Sequence, residues 1–262
     1  MIKDLLLPRE KYAEECKKYG RSPFTFEVEK DGQVLYYFGA NHSLDPYNHQ
    51  YPLLKQYWSN FLEVTQGKEK IVLVEIEPRN PTHQDEQSVI KAGSEGDFIT
   101  FLANKANVPV ACPDISKLEF IKMRPDFNKN AFLLHTFLSW IDQHQKLDGF
   151  KDKFENNFEE WCERQKKREV WKELKISLEK VKQIYKEVIG RDFNLEENQN
   201  NFINPNRTDT KLNELVREYS NERELKIVSE IEGYWKEGKS ILAVLGSGHL
   251  IIQRPALEKL LV

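Results

Sequence analysis

Apolar positions along the chain follow two different periods, and the element changes where the period does. Residues 24–29 alternate apolar and polar, Lys30-Asp31-Gly32-Gln33 supplies an Asp-Gly turn, and residues 34–38 return, which predicts a β-hairpin ending at Gly39. From Pro52 onward Leu54, Tyr57, Trp58, Phe61 and Leu62 recur at helical spacing. Residues 71–76 (IVLVEI) form a β-branched run broken only by Glu75, the pattern of a strand buried on both faces. Phe98, Phe101, Leu102 and Ala106 share one face of a helix over 94–106, and 108–112 reads as a short strand before Pro113-Asp114. Residues 240–245 give the last strand and 250–261 the closing helix. This alternation predicts an α/β fold, a central mainly parallel sheet with flanking helices, an N-terminal β-hairpin and a helical insertion.

The insertion is the middle of the chain, where Lys, Glu and Gln dominate and no strand pattern stands out over 126–190. Trp171, Leu174, Leu178, Val181, Tyr185 and Val188 follow at steps of three and four, an apolar stripe on a long helix. The stripe either packs inside the insertion or forms the seam of a homodimer. Residues 194–209 are an asparagine-rich loop whose Phe202-Ile203 pair could fold over a cleft. Helices resume at 211–219 and again after Ser220-Asn221, the second with Leu225, Val228, Ile231 and Trp235 on its buried face. The expected organisation is one composite domain: 1–125 as the first half of the core, 126–210 as insertion and loop, 211–262 as the second half.

Charge narrows the partners. Lys and Arg number 39 against 42 Asp and Glu, a net −3, which gives no electrostatic reason to expect nucleic acid or an anionic membrane. No run approaches the roughly 18–20 apolar residues of a membrane span, and the opening MIKDLLLPREKYAEE does not read as a signal peptide. Three widely spaced cysteines, Cys16, Cys112 and Cys162, read as reduced thiols and point to the cytoplasm.

Candidate chemistry collects where the strands stop. In open α/β sheets ligands bind outside the carboxyl ends of the strands. Four predicted strands end in Gly39–His42, Glu75, Asp114 and Gly246–His249, and LYYFGANH at 35–42 is echoed by ILAVLGSGH at 241–249. Each echo is an apolar strand, a glycine that permits close backbone approach, and a histidine three residues on that offers a metal ligand or a proton carrier. Glu75 is a site carboxylate or the partner of a structural cation. Arg223 would stand in the first turn of a helix begun at Asn221, against the helix dipole, unless Glu222 offsets it or it faces an anionic group. Asp45 and His49 near His42 suggest a local metal cluster only weakly, and His83, His135 and His144 read as structural or surface residues.

These motifs resemble, in order over most of the chain, the TraB/PrgY superfamily, which takes in the Tiki proteases and, more distantly, ChaN-like and erythromycin-esterase-like proteins. LYYFGANHS resembles the first strand and GxxH motif of that family, and IVLVEIEPRNP its second strand with a site glutamate. GSEGDFITFLANKANVPVACPD is similar to its Gly-Glu helix and following strand-Asp, NERELKIVSEI to its arginine-bearing helix, and ILAVLGSGHLIIQRPALEKLL to its terminal GxxH strand and helix. The resemblance implies a metal-dependent, peptidase-like hydrolase of a peptide or amide bond. His42, Glu75 and His249 would hold a divalent ion (Zn²⁺, Mn²⁺ or Co²⁺), Glu95 or Glu75 would take the proton from water, and Arg223 would stabilise the oxyanion. Gly39, Asp114 and Gly246 would support them. Erythromycin-esterase-like members imply an alternative without metal, a histidine general base acting on an ester. A third reading keeps the scaffold as a binding or signalling protein for a peptide or small molecule. The chain departs from the family at Ala40-Asn41, where Thr-Ile or Thr-Val is commoner, and at Ile115, where an Arg often follows the Asp.

Overall fold

The computed structural model describes the whole chain except Met1, Arg21, Ile76, residues 79–84, residues 146–148 and Glu173, so His83 lies outside the described residues. The chain forms two compact units, Met1–Asp114 with Arg223–Val262, and Ile115–Glu222. The division falls after Asp114 and inside a helix, whereas the changes in composition lie near 125 and 210. The strands are β1 (Phe24–Lys30), β2 (Gln33–Ala40), β3 (Lys70–Val74), β4 (Val110–Ala111) and β5 (Ser240–Gly246). The helices are α1 (Tyr12–Tyr19), α2 (Gln50–Val64), α3 (Glu86–Lys105), α4 (Lys117–Met123), α5 (Lys129–His144), α6 (Phe154–Lys166), α7 (Leu178–Ile189), α8 (Asn200–Ile203), α9 (Lys211–Lys236) and α10 (Ser247–Leu261).

All five strands lie in the first unit, in the order β1-β2-β5-β3-β4. β1 and β2 pair antiparallel and the remaining pairs are parallel. The hairpin turn places Asp31 (φ 53°) and Gly32 (φ 79°) in the left-handed region, as an Asp-Gly two-residue turn requires. Successive strand residues point to opposite faces. Phe38, Val72, Val74, Leu242 and Val244 pack with α2 and α3, while Leu35, Tyr37, Ile71, Leu73, Ile241 and Ala243 pack with Ile227, Val228 and Ile231 of α9 and Leu250 of α10. Both faces are covered, which is why the central strands carry few polar residues. β4 is shorter than 108–112: only Val110 and Ala111 stand opposite β3 residues in the ladder, although the Pro109 carbonyl also accepts from the Val72 N–H at 2.9 Å.

α3 and α9 differ from their expected form. α3 starts at Glu86, capped by Asp85, and is broken at Gly93 and Ser94. A Cβ on Gly93 would stand 1.4 Å from Asp97 Oδ2, so the carboxylate occupies the space that only glycine leaves. Ser94 adopts φ 62°, ψ −157°, a region nearly confined to glycine and costing about 1–3 kcal/mol in any other residue. The break reorients the chain just before Glu95. Ser94→Gly is therefore expected to stabilise the protein by about 1 kcal/mol, once glycine's larger unfolded-state entropy is set against the relieved strain. Urea denaturation reads this directly, and an unchanged or lowered midpoint would mean the serine is not strained.

α9 is one helix through Ser220-Asn221, not two. Each of those residues costs only a few tenths of a kcal/mol in a helix interior, and apolar positions on either side outweigh them. Arg223 therefore stands mid-helix, away from the first turn where a cation would oppose the helix dipole. The buried face also differs: Glu224 and Ile227 join Val228, Ile231 and Trp235 among the buried residues, while Leu225 is only partly buried.

The second unit is helical around an aromatic core that includes Phe120, Phe132, Phe137, Trp140, Trp161, Trp171 and Tyr185. The expected long stripe-bearing helix is shorter: Trp171 lies in a 3-10 turn and α7 begins only at Leu178, capped by Ser177. Trp171, Val181 and Tyr185 are fully buried in this core, with Leu174, Leu178 and Val188 packed against it. A dimer seam along the stripe would have to break that core. Phe202 is buried there too, on the short α8, and does not fold over a cleft. His135 stacks on Phe132, and His144 Nδ1 lies 2.8 Å from the Trp140 carbonyl. The three cysteines are free. No described helix is long and apolar enough to cross a membrane.

Candidate active site

The sheet brings the two GxxH segments together. β2 and β5 are parallel neighbours with Gly39 opposite Leu245 and Ala40 opposite Gly246, so both segments leave the same sheet edge side by side. On the other flank of β5, Val74 of β3 pairs with Val244, and Glu75 emerges next to Gly246. The glycines allow the segments to lie this close. A Cβ on Gly39 would meet the Ser247 Cα at 3.1 Å, and one on Gly246 would stand 3.2 Å from both Glu75 Oε2 and His42 Nε2. His249 is not in a loop: α10 begins at Ser247, which puts the ring in its first turn.

All the sequence-predicted site residues belong to the first unit and most of them meet. His42 Nδ1 lies 2.5 Å from Glu95 Oε1, and its Nε2 lies 3.6 Å from Glu75 Oε2. The His42 side chain is 63% exposed, while that of Glu95 is only 5% exposed. Glu95 Oε2 is buried without a hydrogen-bond partner. Glu75 accepts from Arg223 at 2.9 Å through Oε1 and from the Gly246 backbone N–H at 3.1 Å through Oε2. The Arg223 guanidinium also grips both oxygens of Asp114, its Nε at 3.0 and 2.9 Å. His249 Nε2 stands 3.4 Å from Glu75 Oε1 and 3.4 Å from the Arg223 terminal nitrogen. Asp45 instead caps its own turn, accepting from the Tyr47 N–H at 3.0 Å, and His49 is exposed, so no local cluster forms around them.

Electrostatics divide the two histidines. The hydrogen bond that His42 Nδ1–H donates to Glu95 raises the pKa of His42 above the ordinary imidazole value, partial burial works against it, and Glu75 adds to the rise. For His249 burial opposes the charge, yet the Glu224 and Glu75 carboxylates override it and push the pKa up to about 10. Burial likewise opposes ionisation of Glu75, but His249, Arg223 and His42 hold it well below the usual carboxylate range. His42 thus offers an exposed ring able to exchange a proton, whereas the buried His249 and the partly buried Arg223 form a pair of cations facing Glu75.

As arranged, the three implied ligands do not fit a metal ion. Both oxygens of Glu75 are already engaged, one by a guanidinium, and an ion about 2 Å from His249 Nε2 would be pressed against the same Arg223 nitrogen. Among the described residues no group of three or more His, Cys, Asp or Glu side chains is placed to hold a metal.

One member was not anticipated. Glu224 accepts from His249 Nδ1 at 2.8 Å and is 2% exposed. The signal was present, since a glutamate at 224 continues the apolar spacing of Ile227, Val228 and Ile231, and an acid on a buried face needs a partner. Comparison with family models, curated proteins and solved structures finds no match.

Proposed function

We propose that this chain is a metal-independent hydrolase of an ester or amide, with His42 as general base. The observation that carries this is the His42–Glu95 pair: one ring nitrogen is held by a buried carboxylate and the other edge is exposed toward Glu75 and Gly246. A carboxylate on Nδ1 fixes the ring so that Nε2 is the proton-accepting atom, and it stabilises the imidazolium that forms when water is deprotonated. Arg223 stands beside Glu75 and is held in place by Asp114, suited to the negative charge that grows on a carbonyl oxygen under attack. Glu75, kept ionised chiefly by His249 and Arg223, is a weak base and serves as the anchor that spaces them. The resemblance to the TraB/PrgY superfamily supports hydrolysis over simple binding, and within it the esterase-like chemistry fits this geometry better than the metal-dependent peptidase chemistry.

The test is a panel of p-nitrophenyl esters and peptide anilides, assayed with and without EDTA alongside metal analysis of the purified protein. Turnover of at least one ester, unaffected by the chelator and with no stoichiometric metal, is expected. Activity that appears only on adding Zn²⁺, Mn²⁺ or Co²⁺ would restore the metal mechanism. No turnover under any condition would favour a binding protein on this scaffold.

A further inference from the structure

Behind His249, on the side away from Glu75, lies a chain of buried polar groups that ends at the N-terminal segment. Glu224 Oε2 takes hydrogen bonds from His249 Nδ1 at 2.8 Å and from Gln253 Nε2 at 2.7 Å, and Gln253 Oε1 accepts from Tyr37 Oη at 2.9 Å. The other Glu224 oxygen, Oε1, accepts from the Arg9 guanidinium at 3.1 Å. Arg9, Glu224 and Gln253 are all buried, at 9%, 2% and 0% exposure. An arginine so buried in a surface segment is uncommon, and here it meets a carboxylate that already serves an imidazole.

The segment around Arg9 is docked onto α10 at the same place. The Leu7 N–H donates to the Ile252 carbonyl at 2.9 Å. Tyr12 Oη lies 3.2 Å from where a Cβ of Gly248 would be, directly before His249, so Gly248 leaves room for the tyrosine.

The geometry points to Arg9 as a positioning residue: by pinning Glu224 it fixes the His249 ring with Nδ1 turned inward and Nε2 turned to Glu75, which makes the N-terminal segment part of the site. Glu224 has two acceptor oxygens and three donors around it. With Arg9 in place Oε1 is taken and Oε2 is left for His249 and Gln253. Without Arg9 the carboxylate can rotate or take up a proton, and Nδ1 loses its fixed acceptor. The ring would be held in this way whether or not the site hydrolyses anything, so this role and the hydrolase reading fail separately.

The experiment reads the ring itself. Two-dimensional ¹H–¹⁵N NMR of the full chain reports each imidazole N–H, and His249→Gln identifies the His249 signals by their loss. The native protein should show a protected, strongly downfield Nδ1 proton for His249. In Arg9→Met that proton should be lost or move upfield with an unchanged far-UV CD spectrum, while the signals of His42 stay in place. Arg9→Gln, neutral but still able to donate, should move it less. An unmoved His249 proton in folded Arg9→Met, or an Arg9→Gln shift as large as that of Arg9→Met, overturns the proposal. So does loss of fold in both, since Arg9 would then be a core ion pair with no separable effect on the ring.

Discussion

His42→Ala is expected to lower kcat/KM on the best ester substrate about 10²–10⁴-fold, the usual worth of a positioned general base, while leaving the folded structure intact. The fold should tolerate the change because the side chain is 63% exposed and is not part of the packed clusters. The pH profile adds a second check. The base form of His42 acts, and Glu95 raises its pKa above the ordinary imidazole value. Activity should therefore climb with pH along a limb centred above about 6.5. In Glu95→Gln the raising partner is gone, so the limb should move to lower pH while the plateau rate falls because the ring is less well held. A limb that does not move in Glu95→Gln, or His42→Ala with native activity, would remove His42 from the role of base.

Arg223→Ala should be the most destabilising single change in the site, by about 2 kcal/mol, somewhat less than the loss of one partner of a fully buried ion pair because Arg223 and Glu75 are only partly buried. Asp114 and Glu75 lose the guanidinium that both of them contact, and alanine supplies neither charge nor donor. Arg223→Lys should recover only part, since an ammonium cannot reproduce a planar fork held by both oxygens of Asp114. The sign of the pH dependence follows from Glu75, whose folded pKa is depressed. Its contribution is present above the unfolded carboxylate value of about 4.3 and is lost as pH falls through the lower folded value. The stability gap between native protein and Arg223→Ala should accordingly be full at pH 7 and narrow toward acid in urea denaturation. A gap under about 1 kcal/mol at pH 7 would show that water, not Arg223, compensates the carboxylates.

The sequence alone determined the local elements and the kind of place where chemistry collects. Alternation marked the hairpin, an unbroken β-branched run marked β3, and Gly39 and Gly246 each marked a strand end with a histidine three residues on. Local periodicity suffices for these because each is set by neighbours a few residues apart. It erred where two local signals competed. Ser220-Asn221 looked like a helix boundary, but packing on both sides carried α9 through, and the spacing from Trp171 to Val188 looked like one helix although only its second part is helical. Tertiary structure decided which strand ends are neighbours: β5 lies between β2 and β3, so His42, Glu75 and His249 converge from segments far apart in sequence. It also decided what those residues do together. Arg223 reaches Glu75 from the middle of a helix and engages one of its oxygens, and Glu224 holds His249 from behind. Ionisation and ligand geometry depend on which charges lie within a few ångströms, and that distance is fixed by the fold, not by the spacing of residues along the chain.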